Sequence, residues 1–295
     1  MDYKVLTFVK KIEDKIAEIY NRLLAHQYAW WLVQAVTKKN KARLIAQDNL
    51  VLSEEQQKQL DDWLAELITE KKPLQYILGS VPFGELEILV ESPVLIPRPE
   101  TEEWVLWLLK KLEPLKNERL YILDIGTGSG AIGLTLAHGL PQATVIATDI
   151  SIDALQLSAK NAQKNNITNF HLIESDLFAN IPKKDRFDLI VSNPPYIGPD
   201  EWQELDESVK KWEDERALLA GQEGLAIIDA IITEVPGFLK PNPLLKAHEV
   251  NQLYLEIGYR HKEQVMALMK NAGYANLHVY VDMNKKDRVV SGTII

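Results

Sequence analysis

The alternation of strand-like and helix-like segments after residue 120 constrains the fold more than any other feature of the sequence. Short apolar runs typical of buried strands alternate with segments whose apolar residues recur at helical spacing. Strands are predicted at residues 121–125, 144–150, 170–173, 187–192 and 252–257, and helices at residues 131–138, 152–165, 225–238 and 262–271. This alternation predicts an α/β fold with a mostly parallel, doubly wound sheet. The closing β runs, 277–281 and 288–294, have no helix between them, so an antiparallel last strand is expected.

The N-terminal part of the sequence shows helical patterns without strand-like runs between them, which predicts a small helical domain. Ile12, Ile16, Ile19 and Leu23 recur at helical spacing, and Ser53 begins a capping-box sequence. A basic run at residues 38–43 is typical of a solvated turn, and a docking patch for an acidic or RNA-bound partner is the alternative.

Prolines and glycines are dense between residues 72 and 99. Proline at this density breaks helices, so a domain boundary is expected here. We predict a helical domain at residues 1–71, a hairpin-like connector at 72–97 and an α/β domain at 98–295.

Composition excludes several classes of protein. The 33 basic and 42 acidic residues give a net charge of −9, which disfavours nucleic acid as a substrate because such binding begins with phosphate neutralisation. The absence of cysteine excludes disulfides and thiolate nucleophiles, and the histidines show no metal-ligand spacing, so no metal site is expected. Neither a signal peptide nor an apolar run long enough for a bilayer is evident, so we expect a cytoplasmic protein that does not bind membranes.

A glycine-rich turn follows the first strand of the α/β part. Such a turn lets a ligand approach the backbone, and the helix behind it offers free N–H groups to a carboxylate or phosphate. Asp149, at the end of the next strand, can accept hydrogen bonds from ribose hydroxyls. Asp176 and Leu177 follow the third strand, where an adenine amino group and ring face would lie, although Asp176 could instead cap a turn. The predicted cofactor contacts here are Gly126, Thr127, Gly128, Ser129, Gly130, Asp149, Asp176 and Leu177.

Two nucleoside cofactors are compatible with this turn. Gly128, Gly130 and Gly133 match the dinucleotide fingerprint, so a NAD-dependent enzyme is one interpretation. S-adenosylmethionine has a ribose and a carboxylate but no pyrophosphate. Asp124 at the strand end favours it, because a carboxylate facing the turn would repel phosphates and suit an ammonium or sulfonium.

The fourth strand runs directly into Asn193-Pro194-Pro195-Tyr196, where the prolines predict a rigid loop. The Asn193 side-chain oxygen and the Pro194 carbonyl can accept hydrogen bonds from the two N–H groups of a planar NH₂ group. They would hold its nitrogen in line with a methyl carbon and stabilise the positive charge that develops on it. Tyr196 can stack on the planar group. We therefore assign Asn193, Pro194 and Tyr196 to catalysis, the same residues with Pro195 to substrate binding, and Asn193 also to cofactor contact; a structural turn is the alternative.

Together with these motifs, three stretches resemble the peptide chain release factor glutamine N5-methyltransferases. They are residues 73–79 (PLQYILG), 95–102 (LIPRPETE) and 187–197, and the resemblance extends from about residue 72 to the C-terminus. It implies a Rossmann-like class I methyltransferase domain that uses S-adenosylmethionine to methylate the glutamine of the Gly-Gly-Gln motif in release factors. It also implies that the N-terminal domain helps to dock the release factor.

Some questions stay open after this resemblance. Arg98 could contact the methionine end of the cofactor or anchor the connector, and Glu213-Asp214 replaces the Glu-Pro step usual in the family. Glutamine methylation of a ribosomal protein, amino methylation of nucleic-acid bases and cofactor binding without turnover are the alternative functions.

Overall fold

The computed structural model describes residues 2–47, 49–184 and 186–294. They divide into two compact units: Met1–Gly79 with Glu207–Trp212, and Ser80–Asp206 with Glu213–Ile295. The division lies inside the predicted connector, so residues 72–79 pack with the N-terminal helices and residues 80–97 with the sheet. The assignment of separate roles to residues 1–71, 72–97 and 98–295 stays a prediction.

The first unit is built from helices. These are α1 (Val5–Ile16), α2 (Arg22–Thr37), α3 (Lys41–Gln47), α4 (Glu54–Thr69) and α5 (Leu74–Leu78), with β1 (Asp2–Lys4) antiparallel to β2 (Asn49–Val51). Ser53 and Gln56 form the expected capping box at the start of α4. The short helix α10 (Glu207–Trp212) joins this unit through an ion pair between Lys71 and Glu207.

The helical spacing at residues 12–23 is only partly confirmed. Ile12 and Ile16 are buried, but Ile19 is 42% and Leu23 is 82% exposed. The reason is local, because α1 ends at Ile16 and Asn21 caps the start of α2, so the apolar spacing does not continue on one helix face.

The second unit contains a mixed sheet. Its strands, within the described residues, are β5 (Tyr121–Ile125), β6 (Thr144–Asp149), β7 (Phe170–Glu174), β8 (Leu189–Ser192), β9 (Leu253–Glu256), β10 (Tyr274–Val281) and β11 (Asp287–Ile294). Their order is β10-β11-β9-β8-β5-β6-β7. Strands β5 to β9 run parallel and β11 is antiparallel to both neighbours, which confirms the predicted α/β fold with its antiparallel last strand.

Helices and a hairpin complete this unit. The helices are α6 (Pro99–Leu112), α7 (Ala131–Gly139), α8 (Ile152–Lys164), α9 (Pro199–Glu204), α11 (Ala226–Glu234), α12 (Pro243–Ala247) and α13 (Lys262–Asn271). The hairpin pairs β3 (Ser80–Phe83) with β4 (Leu86–Leu89). Apolar cores lie on both faces of the sheet: Ile122 of β5 belongs to one and its neighbour Leu123 to the other, as expected for alternating side chains. None of the helices in the described ranges is both long and apolar enough to cross a membrane.

The strand order places the functional edge. From β5 the chain builds outward to β6 and β7, and it then returns to place β8 on the other side of β5. The carboxyl ends of β5 and β8 are therefore neighbours at a topological switch point, where open α/β sheets bind ligands. The register pairs Ile125 with Ser192 and Ser192 with Leu255, so residues that follow β5, β8 and β9 meet at this edge.

Candidate active site

A cavity of about 370 Å³ lies at this carboxyl edge, and its volume is within the range of small-molecule sites. Seven residues predicted from the sequence line it: Gly126, Gly128, Asp149, Asp176, Leu177, Asn193 and Pro195. The structure therefore brings together residues that follow four different strands or turns of the chain.

The glycine turn forms one wall of the cavity. Gly126 and Gly128 have positive φ values of 68° and 57°, which glycine adopts without steric cost. No atom lies within 4 Å of the position that a Cβ would take at either glycine, so the turn leaves this volume to a ligand. Thr127, Ser129 and Gly130 are buried within the turn, and their contact with a cofactor stays a prediction.

Asp149 holds the turn from the end of β6. Its Oδ2 accepts a hydrogen bond from Gly128 N at 2.8 Å, and its Oδ1 accepts one from Ser151 N at 2.9 Å. Burial raises the pKa of Asp149, and these backbone donors oppose that rise. Each carboxylate oxygen keeps a second lone pair, so the group can still accept hydrogen bonds from a vicinal diol.

Asp124 lies fully buried beneath the turn. Its Oδ2 accepts hydrogen bonds from Thr127 Oγ1 at 2.6 Å and from Gly133 N at 3.0 Å. Its Oδ1 has no hydrogen-bond partner among the described residues, and burial raises the pKa of the group to about 7. A carboxyl group with unused acceptor capacity under the turn disfavours a pyrophosphate above it and is compatible with a cationic ligand.

Asp176 and Leu177 form the wall that follows β7. The Asp176 carboxylate has no hydrogen-bond partner within the part of the chain that the structure describes, so the side chain does not cap the turn it begins. Leu177 has a φ of 46°, a conformation that a non-glycine residue rarely adopts, and Ser175 Oγ donates to its carbonyl at 2.9 Å. An acceptor and an apolar side chain therefore stand side by side, as adenine would require.

The proline loop begins where β8 ends. Asn193 is half-buried, and its Nδ2 donates to Thr101 Oγ1 at 3.3 Å. No hydrogen bond from the described residues engages Asn193 Oδ1. Pro194 is buried, Pro195 and Tyr196 are half-buried, and burial raises the pKa of the Tyr196 phenol. The loop thus offers an unused side-chain acceptor at the cavity wall.

A buried carboxylate lies behind Asn193. Glu256, the last residue of β9, accepts hydrogen bonds at its Oε2 from Thr101 Oγ1 and from Trp104 Nε1, both at 2.7 Å. Burial raises the pKa of Glu256, and the two donors and Arg288 oppose that rise. The sequence analysis did not single out Thr101, Trp104 or Glu256 as site residues, because no short motif connects α6 with β9.

The structure pairs Arg98 with a buried glutamate. Its Nη2 lies 2.5 Å from Glu213 Oε2, and the Glu213 side chain is only 1% exposed. Burial raises the pKa of Glu213, and Arg98 opposes this. Arg98 is therefore tied to residue 213, the first residue of a segment that borders the cavity; a contact of Arg98 with the cofactor stays a prediction.

That segment contributes cavity residues that the sequence analysis missed. Asp214 N donates to the Pro93 carbonyl at 2.7 Å, and Asp214, Arg216 and Leu219 line the cavity. The Asp214 carboxylate accepts hydrogen bonds from Arg216, which lower its pKa. The unusual Glu213-Asp214 step was the available signal, but the sequence does not indicate where this segment packs. A search of the described residues finds no group of side chains suited to hold a metal ion.

Two protein-family models match this chain. The methyltransferase small domain matches residues 106–207, and the PrmC N-terminal domain matches residues 15–79. The second match ends at the residue where the continuous part of the first unit ends.

Known relatives cover most of the chain. The release factor glutamine methyltransferase of Lactococcus lactis subsp. lactis is 43% identical over 75% of this chain and 77% of its own length. The release factor glutamine methyltransferase of Coxiella burnetii is 39% identical over 83% of each chain. Among solved structures, the ribosomal protein L11 methylase from Lactobacillus delbrueckii subsp. bulgaricus shares the fold, with a TM-score of 0.50 and 16% identity over 73% of this chain and 99% of that one.

Proposed function

Since this chain belongs to the release factor glutamine methyltransferase family, we propose that it methylates the side-chain amide nitrogen, N5, of the glutamine in the Gly-Gly-Gln motif of a peptide chain release factor. It is an S-adenosylmethionine-dependent protein-glutamine methyltransferase. The observation that carries the proposed chemistry is the position of Asn193 and Pro195 on the wall of the cavity that the glycine turn and Asp149 also line.

The cavity residues suit S-adenosylmethionine. In this proposal Asp149 accepts hydrogen bonds from the ribose, Asp176 accepts from the adenine amino group and Leu177 packs on the ring. The open volume above Gly126 and Gly128 accommodates the methionine part. When bound, the cofactor would supply an electrophilic methyl group: the new N–C bond would form as the S–C bond breaks, the neutral thioether would be the leaving group, and the acidic N-methylated amide would release one proton to water.

The chain has to solve a problem of reactivity, because the lone pair of an amide nitrogen is delocalised and attacks poorly. Asn193 Oδ1 and the Pro194 carbonyl would accept hydrogen bonds from the two amide N–H groups and orient the nitrogen. The same acceptors stabilise the positive charge that grows on the nitrogen in the transition state. Tyr196 would cover the amide plane and exclude water. No histidine base is required by this scheme.

We propose a release factor as the substrate and the cytoplasm, where translation takes place, as the location. The first unit, with its match to the PrmC N-terminal domain, is the candidate for docking the factor. The net charge of −9 argues against nucleic acid as the substrate.

Mass spectrometry tests this proposal directly. Purified protein is incubated with S-adenosylmethionine and a release factor, and the peptide that carries the Gly-Gly-Gln motif should gain the mass of one methylene on its glutamine. A factor with alanine in place of that glutamine is the matched control, and it should remain unmodified. Methylation of a ribosomal protein or of nucleic acid, with none on the release factor, would overturn the proposal.

A further inference from the structure

We propose that Glu256 and Thr101 act as positioning residues that fix which end of the Asn193 amide faces the substrate. This inference rests on the proposed function, since it concerns how the substrate amide is recognised. The two residues reach the substrate only through Asn193, and they are therefore not catalytic residues.

A continuous chain of hydrogen bonds connects the three side chains. Asn193 Nδ2 donates to Thr101 Oγ1 at 3.3 Å, and Thr101 Oγ1 donates to Glu256 Oε2 at 2.7 Å. Trp104 Nε1 donates to the same Oε2 at 2.7 Å. Thr101, Trp104 and Glu256 are all buried, so water does not compete for these bonds.

The number of donor protons on each side chain determines the direction of these hydrogen bonds. An indole N–H can only donate, so Glu256 Oε2 acts as an acceptor toward Trp104. Thr101 has a single hydroxyl proton, and when it donates that proton to Oε2 its oxygen can only accept. The group that Asn193 presents to Thr101 must therefore be its NH₂ end, which leaves Oδ1 for the cavity.

This direction matters for the reaction. The NH₂ group of a glutamine needs an acceptor opposite it. If the Asn193 amide were turned by 180°, its own NH₂ group would face the NH₂ group of the glutamine, and no hydrogen bond could form. A preset amide removes the cost of selecting the correct orientation when the substrate binds. It also favours glutamine over glutamate, because an ionised carboxylate offers only acceptors and would face Oδ1.

Backbone geometry keeps these groups in place. Thr101 and Trp104 lie one turn apart on α6, so both project toward the same carboxylate. Ser192, the last residue of β8, pairs with Leu255 of β9, and Asn193 and Glu256 are the residues that follow this pair. All four residues belong to the second unit.

The test compares variants that remove or keep the Thr101 hydroxyl. Thr101→Val should lower kcat/KM for the release factor roughly tenfold, the size of one lost net hydrogen bond, with little change in the Kd for S-adenosylmethionine. Thr101→Ser keeps the hydroxyl, and Glu256→Gln keeps an acceptor oxygen. Both variants should therefore have a kcat/KM close to that of the protein without substitutions. Thr135→Val is a matched control, because Thr135 is equally buried but donates only to the Ala131 carbonyl within α7.

A second readout separates positioning from mere structural support. A release factor with glutamate in place of the glutamine is used as a competitive inhibitor, and its Ki is compared with the KM of the normal factor. In Thr101→Val the Asn193 amide is free to turn, so the preference for glutamine over glutamate should shrink roughly tenfold. Thr135→Val should keep the original preference, and Thr101→Ala replaces Thr101→Val where the valine variant does not fold.

The outcomes distinguish the two proposals. If the unmodified protein does not methylate the release factor, the proposed function fails. If it does so but Thr101→Val keeps the full preference for glutamine, or Thr101→Ser is as impaired as Thr101→Val, the positioning role of Glu256 and Thr101 is wrong.

Discussion

The two sides of the cavity, which we assign to the cofactor and to the substrate, are built in different ways. On the cofactor side, Asp124 accepts hydrogen bonds from Thr127 and Gly133, which are 3 and 9 positions away in the sequence. Asp149 accepts one from Gly128, 21 positions away. On the substrate side, Asn193 bonds Thr101 across 92 positions, and Arg98 pairs with Glu213 across 115. A local turn therefore shapes the first wall, whereas the second exists only after α6 and the segment around residue 213 have packed against the sheet.

This difference indicates which property of the protein a substitution on each side of the cavity will change. Changes on the cofactor side should alter cofactor affinity or local electrostatics with limited effect elsewhere. Changes on the substrate side should alter the chemistry or the stability of the whole unit, because each contact there holds distant segments together.

The largest effect is expected at Asn193. Asn193→Ala removes a side-chain acceptor of the proposed substrate amide, so the single-turnover methylation rate should fall about 100-fold or more, by analogy with the loss of a charge-stabilising hydrogen bond. Calorimetric titration should show a much smaller change in the Kd for S-adenosylmethionine. A variant that methylates at the original rate would contradict the assigned role.

Loss of the Arg98 partner should cost stability. Arg98→Met leaves the Glu213 carboxylate buried without its cation, and the free energy of unfolding should fall by about 3 kcal/mol. Denaturant titration measures this change. The loss should be smaller in the double variant Arg98→Met/Glu213→Leu, which leaves no unpaired charge. Equal losses in the single and double variants would show that packing, and not charge, explains the effect.

The buried Asp124 should make stability depend on pH. Its native pKa is raised to about 7 from 3.8, so between these values the native state binds more protons than the unfolded state. Its contribution to the free energy of unfolding therefore decreases as pH rises through this window, by at most about 1.4 kcal/mol per pH unit, and is constant above it. Asp124→Asn should remove this component, which denaturant titrations at pH 5 and pH 8 would reveal. An identical pH dependence in both proteins would mean that Asp124 titrates normally.

The smallest effect is expected at the glycine turn. Gly128→Ala adds a Cβ to a residue with positive φ that lines the cavity, so the Kd for S-adenosylmethionine should rise roughly tenfold, in line with a strain of 1–2 kcal/mol. Gly273→Ala is a matched control, because Gly273 also has a positive φ, of 88°, its Cβ would also have open space around it, and it is not among the residues that line the cavity. Equal Kd values for S-adenosylmethionine in the two variants would show that the conformation of the turn does not affect cofactor binding.

Sequence patterns predicted the sheet well because its strands are short, apolar and separated by regular helices. They failed at Ile19 and Leu23, where a capped break between α1 and α2 interrupts an otherwise helical spacing. They also could not predict that α10 packs with the first unit although it follows β8 in the chain.

The candidate site shows the same division. The meeting of the glycine turn, Asp149, Asp176 and the Asn193 loop at one cavity could be predicted, since each stands at the end of a predicted strand. Arg98 and Glu213 were both noticed, but their pairing was not, and Thr101, Glu256 and Arg216 were not assigned to the site at all.

The amino-acid sequence by itself determined the alternation of strands and helices, the glycine turn and the proline loop, because backbone preferences and apolar spacing act over a few neighbouring residues. Only the tertiary structure decided that Arg98 pairs with Glu213 and that hydrogen bonds connect Asn193, Thr101 and Glu256. The physical reason is that a hydrogen bond depends on distances of about 3 Å between atoms, and for residues far apart in the chain those distances are set by the packing of strands and helices.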